Sequence, residues 1–97
     1  MEPKALTNEE LNQALNMLHV AWSAIPGQGL VRVWQTTSFA EGFELARKLA
    51  RLIEHYQSNP TLLVAGDTLQ LVLTTPGAGG VTHRDVALAE AIDKLLD

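Results

Sequence analysis

Hydrophobic positions recur along this chain with two different spacings, and the switches between them mark out seven segments. Leu11, Ala14, Leu15 and Leu18 follow a helical spacing. Thr7-Asn8-Glu9-Glu10 precedes them and reads as a capping box, with Leu6 and Leu11 at the staple positions, so a first helix is expected over residues 8–19. Residues 21–25 are a short strand candidate closed by Pro26-Gly27-Gln28-Gly29. The β-branched and aromatic run over 30–37 should return as the second strand of a hairpin.

Ser38 is placed to cap a second helix over residues 39–57. At 100° per residue, Phe39, Phe43, Ala46, Ala50 and Ile53 fall on one stripe, and Leu45, Leu49, Leu52 and Tyr56 on a second, roughly 110° round the axis. Glu41, Glu44, Arg47, Lys48, Arg51, Glu54 and His55 fill the remaining arc. A helix lying on a small sheet needs one apolar stripe, so the second implies either another helix of the same chain or another subunit. Leu45, Leu49, Leu52 and Tyr56 are therefore the candidate oligomer face.

Strands are expected over 61–65 and 68–75, joined by Gly66-Asp67, where glycine at the first loop position suits a type II′ turn. Residues 76–80, Pro-Gly-Ala-Gly-Gly, form a loop. Thr82 and Asp85 then make a second capping pair, stapled by Val81 and Val86, for a last helix that buries Ala89, Ile92 and Leu96. The order α-β-β-α-β-β-α predicts an α+β fold, a four-stranded antiparallel sheet with helices packed on one face. Its outer strands leave an edge that is usually covered or used for dimerisation.

With 97 residues, 46% of them hydrophobic and 19% charged, the chain is expected to form a single folded domain spanning residues 1–97. A net charge of −4 argues against nucleic acid as a partner; Arg47, Lys48 and Arg51 are the one basic cluster. With no cysteine, disulfides and thiolate chemistry are excluded. Neither a signal peptide nor a run of about 20 apolar residues is visible, so no membrane association is expected.

Side chains able to do chemistry are few. His19 reads as a cation at a helix end, His55 as a solvated residue beside Arg51, and His83 as an exposed first-turn residue. Residues 77–80 lack the lysine and spacing of a phosphate-binding loop. Asp85 is a candidate acid, although a carboxylate at the start of a helix needs no further function.

Leu15, Trp22, Phe39, Asn59-Pro60 and the segment Gly80-Val81-Thr82, Asp85, Leu88-Ala89 carry a resemblance to the pterin-4a-carbinolamine dehydratase family that runs from Leu6 to Leu96. The family's catalytic pattern is an acidic residue, three positions, then His, His or Asn, and Pro, followed by an aromatic, a His in a Thr-His pair, and an Asp. Glu54, Asn59, Pro60 and Asp85 match it. Ser58 stands at the first histidine, Gly66 at the aromatic, and Pro76 at the later histidine. Dehydrating a carbinolamine requires a proton delivered to the departing hydroxyl and another taken from the ring nitrogen, and positioned imidazoles typically supply ~10² to 10⁴-fold for such steps. Ser58 has no activating base in the pattern, and Pro76 offers neither a side-chain donor nor an amide proton.

What the resemblance then implies is a non-catalytic protein that uses no cofactor and no metal. Family members lacking the histidines are similar to small proteins encoded beside carboxysome genes of autotrophic bacteria, which act as RuBisCO assembly factors. On that resemblance the partner is the RuBisCO large subunit, the state a homodimer or higher homo-oligomer, and the location cytoplasmic, in association with carboxysomes. Two alternatives stand beside it. One is a dehydratase working through Asn59, Asp85 and His55, and the other a regulatory dimerisation partner, as some family members bind a homeodomain transcription factor.

Overall fold

The computed structural model describes residues 4–56 and 59–96. Its elements are α1 (Asn8–Met17), β1 (Ser23–Ile25), β2 (Gly29–Gln35), α2 (Phe39–His55), β3 (Thr61–Ala65), β4 (Thr68–Leu73), a 3₁₀ turn (Pro76–Ala78) and α3 (His83–Leu96). The expected α+β order is the observed one. The four strands form one antiparallel sheet in the order β1-β2-β4-β3.

Alternation along the strands sorts their side chains between a packed face and an open one. Leu30, Arg32 and Trp34 of β2 lie opposite Leu73, Leu71 and Leu69 of β4, which in turn face Leu62 and Val64 of β3. Leu30, Leu69, Leu71 and Leu73 are fully buried there with Leu49 of α2 and Leu88, Ala89 and Ile92 of α3. Val33 and Leu63, on the opposite face, are about half exposed. The core is thus a single layer between sheet and helices. Among the described residues no helix is long and apolar enough to cross a membrane.

Local sequence accounts for most boundaries. Thr7 and Glu10 form the expected reciprocal cap of α1, with the Glu10 amide donating to Thr7 Oγ1 at 3.1 Å and the Thr7 amide to Glu10 Oε1 at 2.9 Å. Ser38 Oγ accepts from the Glu41 amide at the start of α2. Gly66 adopts φ +58° in the two-residue β3–β4 turn, which a side chain would disfavour.

Several expected boundaries move. Helix α1 stops at Met17, short of His19, because Leu18 turns extended and residues 19–22 close a tight turn, with the Trp22 amide donating to the His19 carbonyl. Strand β1 starts only after that turn, at Ser23. β2 ends at Gln35, since the Thr36 amide donates to the Asp67 carbonyl and its hydroxyl to the Ser38 carbonyl. β4 ends at Leu73, and Thr75 pairs instead with Gly80 in an isolated bridge that folds residues 76–80 back as the 3₁₀ turn. The expected end of α2 at Gln57 lies outside the described residues.

The buried seam of α2 also differs from expectation. Gly42, Leu49 and Ile53 are its buried residues, while Phe39 and Phe43 are 56% and 59% exposed. The seam is rotated by roughly 60° from the centre of the stripe Phe39, Phe43, Ala46, Ala50 and Ile53, at 100° per residue. Gly42 explains it: a Cβ there would lie 3.3 Å from Val64 Cγ1, so the missing side chain lets the helix settle closest to β3 at that point. Leu49, placed on the candidate oligomer face, has no exposed surface in the single chain, and so cannot meet another subunit. Leu45, Leu52 and Tyr56 are partly buried against the same core.

Candidate functional site

Six of the seven positions that match the dehydratase pattern lie among the described residues, and they do not form one cluster. Ser58 lies outside the described residues. Glu54 is exposed on the last turn of α2, Asn59 is exposed, and Pro60 is partly buried just before β3. Gly66 sits in the β3–β4 turn, at the opposite end of the hairpin from the Thr61–Val72 pair and so roughly 14 Å away along the strand. A Cβ at Gly66 would touch nothing within 4 Å.

Pro76 and Asp85 are brought close by the turn that follows β4. Pro76 opens the 3₁₀ turn and is exposed, whereas Asp85 is completely buried. Asp85 Oδ2 accepts from the Thr82 amide at 2.9 Å and from Thr75 Oγ1 at 2.8 Å, and the Thr75 and Thr82 hydroxyls lie 2.9 Å apart. These bonds tie the strand end at Thr75 to the first turn of α3. The carboxylate thus satisfies an otherwise orphaned helix N-terminus and closes the turn, as the capping pair predicted.

Thr75 and Pro76 also border a cavity of about 660 Å³ between the start of α1, the β1–β2 turn and the glycine-rich turn. Asn8, Asn12, Gln28 and Thr74 supply its polar lining, and no charged side chain is among the described lining residues. Such a site can hydrogen-bond an uncharged ligand but has no ionisable group with which to move a proton. Of the positions in the family pattern, Pro76 is the one that lines it. Among the described residues no three His, Asp or Glu side chains come together as a metal site would require.

The histidines are scattered. His83 is exposed at the first position of α3, and His55, exposed on α2, meets Tyr56 edge-on with ring centroids 5.5 Å apart. His19 does not sit on a helix end as expected. Its Nδ1 accepts from the Ala21 amide at 3.0 Å, and its own amide donates to Asp93 Oδ2 at 2.9 Å.

Asp93 belongs to a cluster that the sequence motifs do not single out. Arg32, 8% exposed in the middle of β2, ion-pairs through Nη1 with Asp93 Oδ1 at 2.7 Å. Trp22 Nε1 donates to that same oxygen at 2.8 Å. The guanidinium carbon lies 4.7 Å from the Trp34 ring centroid and 5.9 Å from that of Trp22, and the two indoles meet edge-on. Attraction of a cation to both ring faces offsets part of the cost of burying it. Arg32 Nε and Trp34 Nε1 are buried without a hydrogen-bond partner among the described residues. A signal was available: Leu30, Arg32 and Trp34 alternate onto one strand face, which commits the arginine to the packed side once that face is known.

The fold shifts the ionisation of Glu10. The Thr7 amide, and then the Thr7 hydroxyl, bond the Glu10 carboxylate and hold it below the usual glutamate range.

The family profile described as pterin 4 alpha carbinolamine dehydratase matches residues 4–95. A protein of Rhodopseudomonas palustris (strain BisB18), named provisionally as a pterin-4-alpha-carbinolamine dehydratase, is 36% identical over 93 residues, 95% of this chain and 91% of that one. A provisionally named dehydratase of Koribacter versatilis (strain Ellin345) is 33% identical over 92 residues, 95% of this chain and 96% of that one. The crystal structure of a transcriptional coactivator/pterin dehydratase from Brucella melitensis superposes with a TM-score of 0.84, covering 97% of this chain and 100% of its own, at 24% identity. That superposition carries the fold, and the profile and the curated relatives carry the kinship: the chain belongs to the pterin-4a-carbinolamine dehydratase family.

Proposed function

We propose that this chain uses the dehydratase fold for binding a protein and not for dehydrating a pterin, acting as a homo-oligomeric assembly factor for the RuBisCO large subunit in the cytoplasm. The observation that carries the first half is chemical. At the two positions where the family pattern requires imidazoles the sequence has Ser58 and Pro76, and the matched acid, Asp85, is buried and bonded within its own turn. Proton delivery to a departing hydroxyl then has no positioned donor that exchanges protons near neutrality. The client is supported by sequence resemblance alone.

Two surface features support self-association. Phe39 and Phe43 are exposed one turn apart on the flank of α2 away from Leu45 and Leu52, and β3 is an outer strand of the sheet. An outer strand of five uncharged residues beside two exposed aromatics is a surface that folded proteins usually cover. Phe43→Glu should therefore lower the mass seen by light scattering while leaving the fold in place. An unchanged mass would remove this surface from consideration.

The names of the relatives favour a second reading, a hydro-lyase with a substituted site in which Asn59, Asp85 and His55 share the proton transfers. The Brucella protein, described as both coactivator and dehydratase, likewise keeps a regulatory partnership in view. One pair of measurements separates them. Purified protein is expected to leave a carbinolaminopterin at its uncatalysed rate, and co-expression with RuBisCO large and small subunits is expected to raise the yield of assembled enzyme. Dehydration at the rate of a histidine-bearing relative would establish the second reading, and an unchanged RuBisCO yield would remove the client.

A further inference from the structure

A groove follows α2 from Glu41 to His55 on the side facing α3, about 20 Å of helix at 1.5 Å per residue. Its volume, open to solvent, is about 1030 Å³. Its floor is apolar, formed by Trp34 of β2, Leu45 and Leu52 of α2, and Leu95 of the last turn of α3, which is 40% exposed. Its rim is charged. The carboxylates on that rim are already engaged: Glu44 pairs with Arg47 at 2.9 Å, and Glu41 accepts from the Thr37 amide and hydroxyl. Lys48 and Arg51, three residues apart and so on adjacent turns of one helix face, have no carboxylate partner among the described residues.

We propose that this groove binds a small amphiphilic anion, an apolar body bearing one carboxylate or sulfonate. The apolar part displaces water from Trp34, Leu45, Leu52 and Leu95, and the anion lies against Lys48 and Arg51. The volume is at the upper end of the roughly 300–1,000 Å³ that small-ligand sites occupy, and a hydrophobic lining with a few oriented polar groups is their usual make-up. Charge selects the ligand. Three of the chain's seven Lys and Arg fall within residues 47–51 of a protein whose net charge is −4, so the groove is a local positive site on an acidic molecule. The cavity beside Pro76 has no charged side chain among its described lining residues. This site is independent of the role proposed above.

The test is a titration of the full chain with 8-anilinonaphthalene-1-sulfonate, followed by displacement with dodecanoate below its micellar concentration. Dodecanoate should displace the dye with one-site stoichiometry, and dodecyltrimethylammonium should not. The double variant Lys48→Glu/Arg51→Glu should weaken dodecanoate at least about tenfold at low salt, the scale expected when two favourable exposed contacts become repulsive. Far-UV circular dichroism checks its fold, and Lys48→Gln/Arg51→Gln serves if the charge reversal does not fold. Equal affinity for the cationic amphiphile, or an undiminished response in the folded variant, would overturn the assignment. Co-sedimentation with phosphatidylglycerol vesicles without a dodecanoate response would make this a membrane-facing surface and overturn it too.

Discussion

Removing the Asp93 carboxylate tests whether the charged cluster between sheet and α3 is held together as its geometry indicates. The side chains of Arg32 and Asp93 are 10% and 16% exposed, so their ion pair is screened little by water. Asp93→Ala leaves the guanidinium buried and uncompensated, which costs about 3–5 kcal/mol for such pairs. It also strips the Trp22 indole and the His19 amide of their acceptor, worth about 1 kcal/mol each in isolation, although contributions within one network do not add. A domain of this size has only about 5–15 kcal/mol in hand, and each kcal/mol moves its midpoint by about 4–8 °C, so melting should fall by roughly 15 °C or more. Urea titration followed by both tryptophan emission and far-UV circular dichroism measures the loss. The double variant Arg32→Met/Asp93→Leu removes both charges and should recover at least about 2 kcal/mol relative to the sum of the single changes. A cost below about 1 kcal/mol for Asp93→Ala, or strict additivity in the double variant, would refute the reasoning.

Three further expectations follow from the local geometry. Glu10 has a folded-state pKa below its unfolded value, so its contribution is complete above the ordinary glutamate range and is lost as pH falls through the folded value. Glu10→Gln should accordingly be less stable than the parent at pH 7, with the gap narrowing on acidification, and a gap that widens in acid would contradict the cap. At Gly29, where φ is +129° and a Cβ would lie 2.3 Å from the Leu73 carbonyl oxygen, alanine should cost at least about 2 kcal/mol by chemical denaturation, and a cost within about 0.5 kcal/mol of zero would contradict that close approach. Asp85→Ala should cost about 2–4 kcal/mol by exposing the Thr82 amide and Thr75 hydroxyl to an apolar surrounding, whereas Asp85→Asn, which keeps an acceptor, should cost less; equal losses would mean that Oδ2 is not what holds the turn.

Legibility in the sequence depended on how local the responsible interaction is. The Thr7–Glu10 box, the Ser38 cap, the Gly66 turn and the pairing of Thr82 with Asp85 are each decided within four residues, and all were readable. The α2 seam was not, because the helix has apolar residues on more than half of its surface and periodicity alone allows several orientations. What selects one is the contact of Gly42 with Val64, twenty-two residues away. The Arg32–Asp93 pair, sixty-one residues apart in the chain, lies further still beyond any local pattern. The early end of α1 has the same origin, since the turn that replaces its last residues is anchored on Asp93.

The matched family positions divide by the kind of support each receives. Asp85 and its two threonines are locked by bonds that cross from Thr75, beyond the end of β4, to the start of α3, and their loss would unfold the turn whatever the protein does. Gly66 is held by its left-handed backbone at φ +58°, whereas Pro76 and Asn59 are exposed, so selection for stability alone does little to hold those two identities in place. Identity there is decided by chemistry or by contact with a partner. A kept, buried Asp85 beside an exposed Pro76 that carries no imidazole is compatible with the proposed binding role. Exposed Pro76 is the place to look for a gain: Pro76→His should leave stability nearly unchanged, and the appearance of measurable dehydration when it is combined with Ser58→His, which restores both imidazoles of the family pattern, would show that the frame still presents those positions to a pterin.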